Sequence, residues 1–294
     1  MKLKNLFVFL SVIAAVGCSA NGDKSDAYGN FESTEIVISA EASGKLLHFD
    51  AEEGLTLEAN TVVGLIDTTQ LSLKREQLLA SQQGIRSKSA NILAQIDVVQ
   101  EQKEVALIEK KRLESLFKEN AATQKQLDDV SGQLNILDKQ MASIETQNAP
   151  VLADIRSLEA QIRQINDQIK KSNIINPVKG TVLTKFAEPF EVIGFGKPLY
   201  KIADLTTMFL RVYVSGDQLP QTKIGGKVEV LIDRDKSENQ KLEGEISWIS
   251  SKAEFTPKII QTKQERVNMV YAVKVRVIND GSLKIGMPGE INFK

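Results

Sequence analysis

The stretch ASGKLLHFDAEEGLTLEANTVVGLID, Ala42 to Asp67, decides the fold, because it is half of something. Its short apolar runs, Lys45-Leu46-Leu47 and Thr61 to Ile66, are separated by turn residues and acids, the pattern of small β-hairpins. Strands this short cannot bury enough surface to hold together in water by themselves. The stretch needs a partner elsewhere in the chain.

That partner is IINPVKGTVLTKFAEPFEVIGFGKPLYKIADL, Ile174 to Leu205. Pro177 is expected to stop the preceding helix, and Gly180 and Gly194 mark turns. Val182-Leu183, Val192-Ile193 and Leu199 to Ile202 read as short strands. The rhythm repeats the first stretch: a glycine turn, a strand, an acidic loop, then a second apolar run. Two such halves can pair into one flattened β-sandwich, with whatever lies between them inserted at its central turn.

What lies between is helical. Leu71, Leu78, Ile85, Ile92, Val99, Ala106 and Leu113 recur every seven residues, with Lys74, Lys88 and Glu109 at the offset where a second seam is expected. Leu79, Leu93, Ile96 and Leu107 widen this stripe. The second arm is cleaner: Leu127, Leu134, Met141, Asn148, Ile155, Ile162 and Ile169 form one seam, and Val130, Leu137, Ile144, Val151, Leu158 and Ile165 the other. Such heptads imply a left-handed coiled coil. The repeat stops at KENAATQKQ, Lys118 to Gln126, near the midpoint, so the arms are expected to fold back as an antiparallel hairpin. Each arm of ~50 residues would be ~75 Å long. Pro150 keeps the heptad phase on both sides, so a kink or one-turn break near Thr146 to Pro150 is expected rather than a change of direction.

After Leu205 the chain alternates again, at Phe209, Arg211 and Tyr213 and from Val228 to Ile232. KLEGEISWIS, YAVKVRVIN and LKIGMPGEINF continue the strands, which predicts a small antiparallel β-barrel with Trp248 in its core.

The N-terminus carries an address. Lys2 and Lys4 precede an apolar run from Leu6 to Val16, too short to span a bilayer, which needs ~20 residues. Ala15-Val16-Gly17-Cys18 resembles the bacterial lipobox, with Ala15 where leucine is most usual, so Cys18 is the expected lipidation site. Several acyl chains there would anchor the chain stably without a spanning helix. SANGDKSDAYGN follows as a polar tether.

Composition narrows the function. The 37 basic and 38 acidic residues nearly cancel, and no basic patch with interleaved aromatics calls for nucleic acid. One cysteine and one histidine exclude an internal disulfide and disfavour a zinc site; His48 reads as a structural or surface residue. There is no Ser/His/Asp arrangement and no phosphate-binding GxxxxGK[ST], so the sequence predicts no enzyme, and any ATP would be hydrolysed by a partner.

Paired half-motifs around a helical hairpin resemble a biotinyl/lipoyl-like domain split by a coiled coil, the arrangement of HlyD-type membrane fusion proteins, or periplasmic adaptor subunits. The resemblance covers Gly29 to Lys294. It implies a mixed α and β, elongated, multidomain chain. A signal peptide at 1–17 and the lipidated Cys18 with its tether at 18–29 precede the N-terminal strand or strands and the first half of the lipoyl-like domain, together at 30–67. The coiled-coil hairpin at 68–173, the second half at 174–205, and the β-barrel with the membrane-proximal region at 206–294 complete it. No lipoyl or biotinyl cofactor is implied, because the hairpin replaces the turn that would carry the modified lysine.

The resemblance further implies a subunit of a tripartite efflux or secretion system in the periplasm of a Gram-negative bacterium. Its partners would be an inner-membrane transporter, a TolC-like outer-membrane channel, and copies of itself in a ring, expected as a hexamer. AEFTPKIIQTKQERVNMVYAVKVRV, Ala253 to Val277, looks like the subgroup that works with ABC-type exporters. An adaptor would be held at the inner membrane, although Ser19 after Cys18 points, in enteric bacteria, to the outer one. Family members that dock on such a channel carry an Arg, a Leu four later and a Ser seven after that; Arg112, Leu116 and Thr123 stand at this spacing. The rival reading is a structural coiled-coil lipoprotein that tethers envelope layers. A carrier-domain subunit of an acyl-transfer enzyme is disfavoured, since the modifiable lysine turn is absent.

Overall fold

The computed structural model describes residues 25–234, 239–255 and 269–293. The signal segment, Cys18 and residues 256–268 of the Ala253 to Val277 run lie outside the described residues. In chain order come β1 (Ala27–Glu32), β2 (Glu35–Ser39), β3 (Gly44–Phe49), β4 (Thr56–Leu57) and β5 (Val62–Ile66). The helices α1 (Thr69–Lys118) and α2 (Gln124–Lys171) follow. Then come β6 (Asn173–Ile175), β7 (Gly180–Lys185), β8 (Val192–Ile193), β9 (Pro198–Ala203) and β10 (Thr207–Ser215). The last strands are β11 (Lys227–Asp233), β12 (Asn239–Ile249), β13 (Glu254–Phe255), β14 (Met269–Ile278) and β15 (Pro288–Phe293). Two compact units result, one of Val37–Val178 with Val182–Lys201, the other holding the remaining described residues.

In the first unit the two β stretches complete one another. Two four-stranded sheets are ordered β6-β5-β3-β8 and β2-β9-β7-β4. Each stretch lends its shortest strand to the other: β8 pairs with β3, Gly44 opposite Ile193. Across from it, Gly54 N–H donates to the Val182 carbonyl at 2.9 Å, and Val182 N–H to that of Leu55 at 2.9 Å. A strand of two residues has no stability of its own, so exchange makes neither half viable without the other. Leu46, Ile66, Ile193, Leu199 and Tyr200 are buried.

One polar side chain ties this interior together. Asn176 is fully buried. Its amide donates to the carbonyls of Glu58, at 2.9 Å, and Val178, at 2.6 Å, and its Oδ1 accepts from the Tyr200 hydroxyl at 3.0 Å. Its backbone N–H donates to Thr61, and its carbonyl accepts from Asn60 N–H. Asn60 reaches that bond with φ of 63°, in the left-handed region that asparagine tolerates. Burial pushes the Tyr200 phenol up to about 12, so it stays protonated and donating at ordinary pH.

The helices hold the same sequence pattern with one change of register. In α2 all thirteen expected seam residues are buried or half-buried, Leu134, Leu137, Val151 and Ile162 most deeply. In α1 the Leu71 to Leu113 series is likewise turned inward. Its second seam, however, lies four residues after the first, at Arg75, Gln82, Ser89, Ile96, Lys103 and Lys110, while Lys74, Lys88 and Glu109 are exposed. Of the residues expected to widen the stripe, Leu79, Leu93 and Leu107 are exposed and only Ile96 is partly covered. Polar pairs therefore cross the seam. Ser89 Oγ donates to Asn148 Oδ1 at 2.9 Å, Gln82 to Glu159 at 3.2 Å, and Lys103 lies 2.7 Å from Asp138. Such pairs fix alignment more than they stabilise.

Of the kink or one-turn break expected near Pro150, the break does not occur: α2 is helical through it. A proline inside a helix costs about 3 kcal/mol. Here Asn148, held by Ser89, and the buried Val151 clamp the turn from both sides. Nor does Pro177 end α2. The helix stops at Lys171, capped by Ser172, whose hydroxyl donates to the Gln168 carbonyl at 3.0 Å, and β6 intervenes before Pro177.

The second unit contains a barrel. Its sheet runs β10-β1-β15-β11-β12-β14, and β14 pairs back with β10 to close it; β13 lies along β14. The pairings are antiparallel. Alternation places Met208, Leu210, Val212 and Val214 inside, with Phe31, Val230, Val275 and Ile291. Gly289 makes room for Phe31, since a Cβ there would stand 2.9 Å from the ring. Strand β1 reaches back to Ala27, into the stretch expected to be tether, because the barrel closes only when this N-terminal strand fills the gap between β10 and β15. Trp248 is not in the core. A register shift between Ile246 and Trp248 turns the indole outward, 40% exposed, with Lys274 Nζ 5.9 Å from its ring.

Replacing Tyr200 by Phe should cost about 1–3 kcal/mol, because Asn176 Oδ1 is left buried without a donor. A raised folded-state pKa contributes stability that is complete below the unfolded phenol value and lost as pH rises through about 12. Thermal melting at rising alkaline pH should show this loss in the parent chain and not in Tyr200→Phe.

Candidate functional site at the hairpin tip

The tip is built by two caps. At the end of α1, Asn120 adopts φ of 58°. Its N–H donates to the Phe117 carbonyl at 3.0 Å, and Ala121 N–H donates to that of Leu116 at 2.8 Å. These two bonds form the left-handed closure that ends many helices. Three residues on, Thr123 begins α2 with a reciprocal capping box: Gln126 N–H donates to Thr123 Oγ1, and Thr123 N–H donates to Gln126 Oε1 at 2.8 Å. The turn is thus fixed by its own backbone together with the Thr123 and Gln126 side chains.

The three residues singled out by spacing all lie here. Arg112 is on α1 with its side chain 74% exposed, and its contact with Glu109, at 3.8 Å, is too long and too solvated to immobilise it. Leu116 is half-buried between the arms, and its carbonyl accepts the cap bonds. Thr123 is the N-cap of α2. Arg112 is therefore free for a partner, while Leu116 and Thr123 also serve the turn.

Sequence reasoning passed over Phe117. It falls in the seam series that contains Lys103 and Lys110, yet it is 39% exposed, because α1 ends one residue later. Between Glu109 and Asp129 the charges cancel: Lys110, Lys111, Arg112, Lys118 and Lys125 against Glu109, Glu114, Glu119, Asp128 and Asp129. A neutral tip does not steer a partner from a distance. It can offer the Arg112 fork and the Leu116 and Phe117 surfaces at contact. Among the described residues no three His, Cys, Asp or Glu side chains gather to hold a metal ion.

A search of protein-family models finds no match. The chain is similar to a UPF0194 membrane protein of Yersinia enterocolitica, 25% identical over 317 residues, covering 97% of this chain and 96% of that protein. Among solved structures it resembles MacA from Actinobacillus actinomycetemcomitans, with a TM-score of 0.56 and 20% identity over 91% of this chain and 77% of that one. It also resembles the membrane fusion protein Spr0693 of Streptococcus pneumoniae R6, with a TM-score of 0.55 and 15% identity over 91% of this chain and 97% of that one. The fold is that of a membrane fusion protein. In this membrane fusion fold the hairpin stands between β5 and β6, and its tip is a defined, capped structure. No helix among the described residues is long and apolar enough to cross a membrane.

Thr123→Ala should cost about 1 kcal/mol and Asn120→Val a similar amount, while Asn120→Gly should be nearly neutral. Amide exchange at residues 121–127 should rise in the first two variants and stay unchanged in the third.

Proposed function

We propose that this chain is the periplasmic adaptor of a tripartite efflux or secretion system, joining an inner-membrane transporter of the ABC type to a TolC-like outer-membrane channel. The single observation that carries the reading is the hairpin itself, with arms of 50 and 48 residues inserted into a β-domain, in a chain with a membrane fusion protein's fold. A rod of ~75 Å with a capped tip serves reach rather than catalysis. Its role would be architectural, without an enzymatic step of its own.

The parts divide the work. Lipid on Cys18 would hold the chain at the inner membrane. The paired β stretches, read as a lipoyl-like domain without cofactor, would pack side by side into a ring of six copies. The barrel and the Ala253 to Val277 run would carry the transporter contact. At the tip, Arg112 would donate to carbonyls or carboxylates at the channel's end, Leu116 would supply apolar contact, and Thr123 a hydroxyl.

Affinity purification from detergent-solubilised membranes should recover both an ABC transporter and the outer-membrane channel after crosslinking. Arg112→Asp combined with Leu116→Ala should lower channel recovery by about tenfold or more, since removing central anchors costs roughly 2 kcal/mol or more. Transporter recovery should not change. Recovery of no transporter from the parent chain would overturn the adaptor reading in favour of an envelope-tethering lipoprotein.

A further inference from the structure

The outer face of the barrel carries a groove of about 420 Å³ that the architectural role leaves unused. It is formed where β10, β1, β15 and β11 lie side by side. Register sets one row of side chains across it. Tyr213 is opposite Tyr28, Tyr28 opposite Glu290, and Glu290 opposite Leu231. At about 4.8 Å per strand this row spans roughly 15 Å. It reads aromatic, aromatic, carboxylate, aliphatic. Asp233, two residues beyond Leu231 and so on the same face, adds a second carboxylate to the lining.

The charges of the groove are not balanced. Among the described residues that line it the one cation, Arg211, is already engaged. Nη2 lies 3.1 Å from both carboxylate oxygens of Glu254, and the guanidinium sits 5.9 Å from the centre of the Tyr213 ring. Glu32 is likewise matched by Lys274, at 2.5 Å. Glu290 and Asp233 remain, and among the described residues no cation pairs with either. The Ser25 hydroxyl donates to Glu290 Oε2 at 2.5 Å, which orients that carboxylate without bringing a positive charge to it. Glu290 thus stands between Tyr28 and Leu231, and Asp233 lies beyond Leu231 on the same strand, with no cation among the described residues to match either.

We infer that this groove binds an amphipathic organic cation of drug-like size. The volume lies within the range of small-molecule sites, ~300–1,000 Å³. The apolar body would lie on Tyr28 and Leu231, with its positive centre at Glu290 and Asp233, and the Tyr28 ring adds attraction for the same charge. An anion would meet two carboxylates and, among the described lining residues, no free cation. A bare metal ion would need more oxygen ligands than two carboxylates on an apolar wall supply. This inference does not rest on the export reading: a barrel that binds such cations and a hairpin that docks on a channel can each fail alone.

The test uses tetraphenylphosphonium and tetraphenylborate, which share a shape and differ in the sign of charge. Titration calorimetry on the purified chain should show the phosphonium binding and the borate at least about tenfold weaker. Asp233→Asn combined with Glu290→Gln should weaken the phosphonium by about tenfold or more, with melting temperature showing that the variant is folded. Equal binding of both ions, no binding of the phosphonium, or undiminished binding by the folded double variant would each overturn the assignment. The comparison of the two ions on the parent chain decides the matter even where the double variant does not fold.

Discussion

The bond from Ile66 N–H to the Ser172 carbonyl, 2.9 Å long, is where this architecture is decided. It joins the last residue of β5 to the cap of α2, so the chain leaves for the whole hairpin and returns to the same place. Everything on either side depends on that closure. The β stretches need it because each borrows a two-residue strand from the other. The helices need it because their base is tied there, and their tip is tied by caps rather than by a partner. Asn176 reinforces it from inside, since its buried amide is satisfied only when Glu58, Thr61 and Tyr200 are all in place.

The hairpin shows how a long rod keeps one alignment. An all-leucine seam would slide by a heptad at little cost. Ser89 with Asn148 and Gln82 with Glu159 make sliding costly, because a slipped arm would leave the buried Ser89 and Gln82 without partners, and Lys103 with Asp138 adds a solvated pair. The same pairs explain the tolerance of Pro150. Its lost hydrogen bond lies next to the Ser89–Asn148 pair, where tertiary contacts already hold the turn.

Much of this was legible in the sequence. The second arm's heptads and the rhythm shared by Ala42–Asp67 and Ile174–Leu205 are local signals, and they gave the pairing of the two halves; the exchange of β4 and β8 is seen only in the structure. What was not legible is what long-range contact decides. Apart from Ile96 and Phe117 the second seam of α1 is polar, too weak a hydrophobic signal to set its offset, which was expected at Lys74 rather than Arg75. A single extra residue at the bulge turned Trp248 out of the core. Ala27 to Gly29 look like tether until the barrel is seen to need a strand between β10 and β15. At the tip, the family spacing pointed to Arg112, Leu116 and Thr123, while Phe117 lies on a seam that only the structure shows.

The most direct measurement removes the hairpin. Residues 69–171 replaced by a short glycine-rich turn should leave Ile66 and Ser172 adjacent, and the β stretches should still fold on each other. The account predicts cooperative thermal unfolding and slow amide exchange at Ile66 and Asn176 in that shortened chain. Free exchange at both positions, with no cooperative transition, would contradict it.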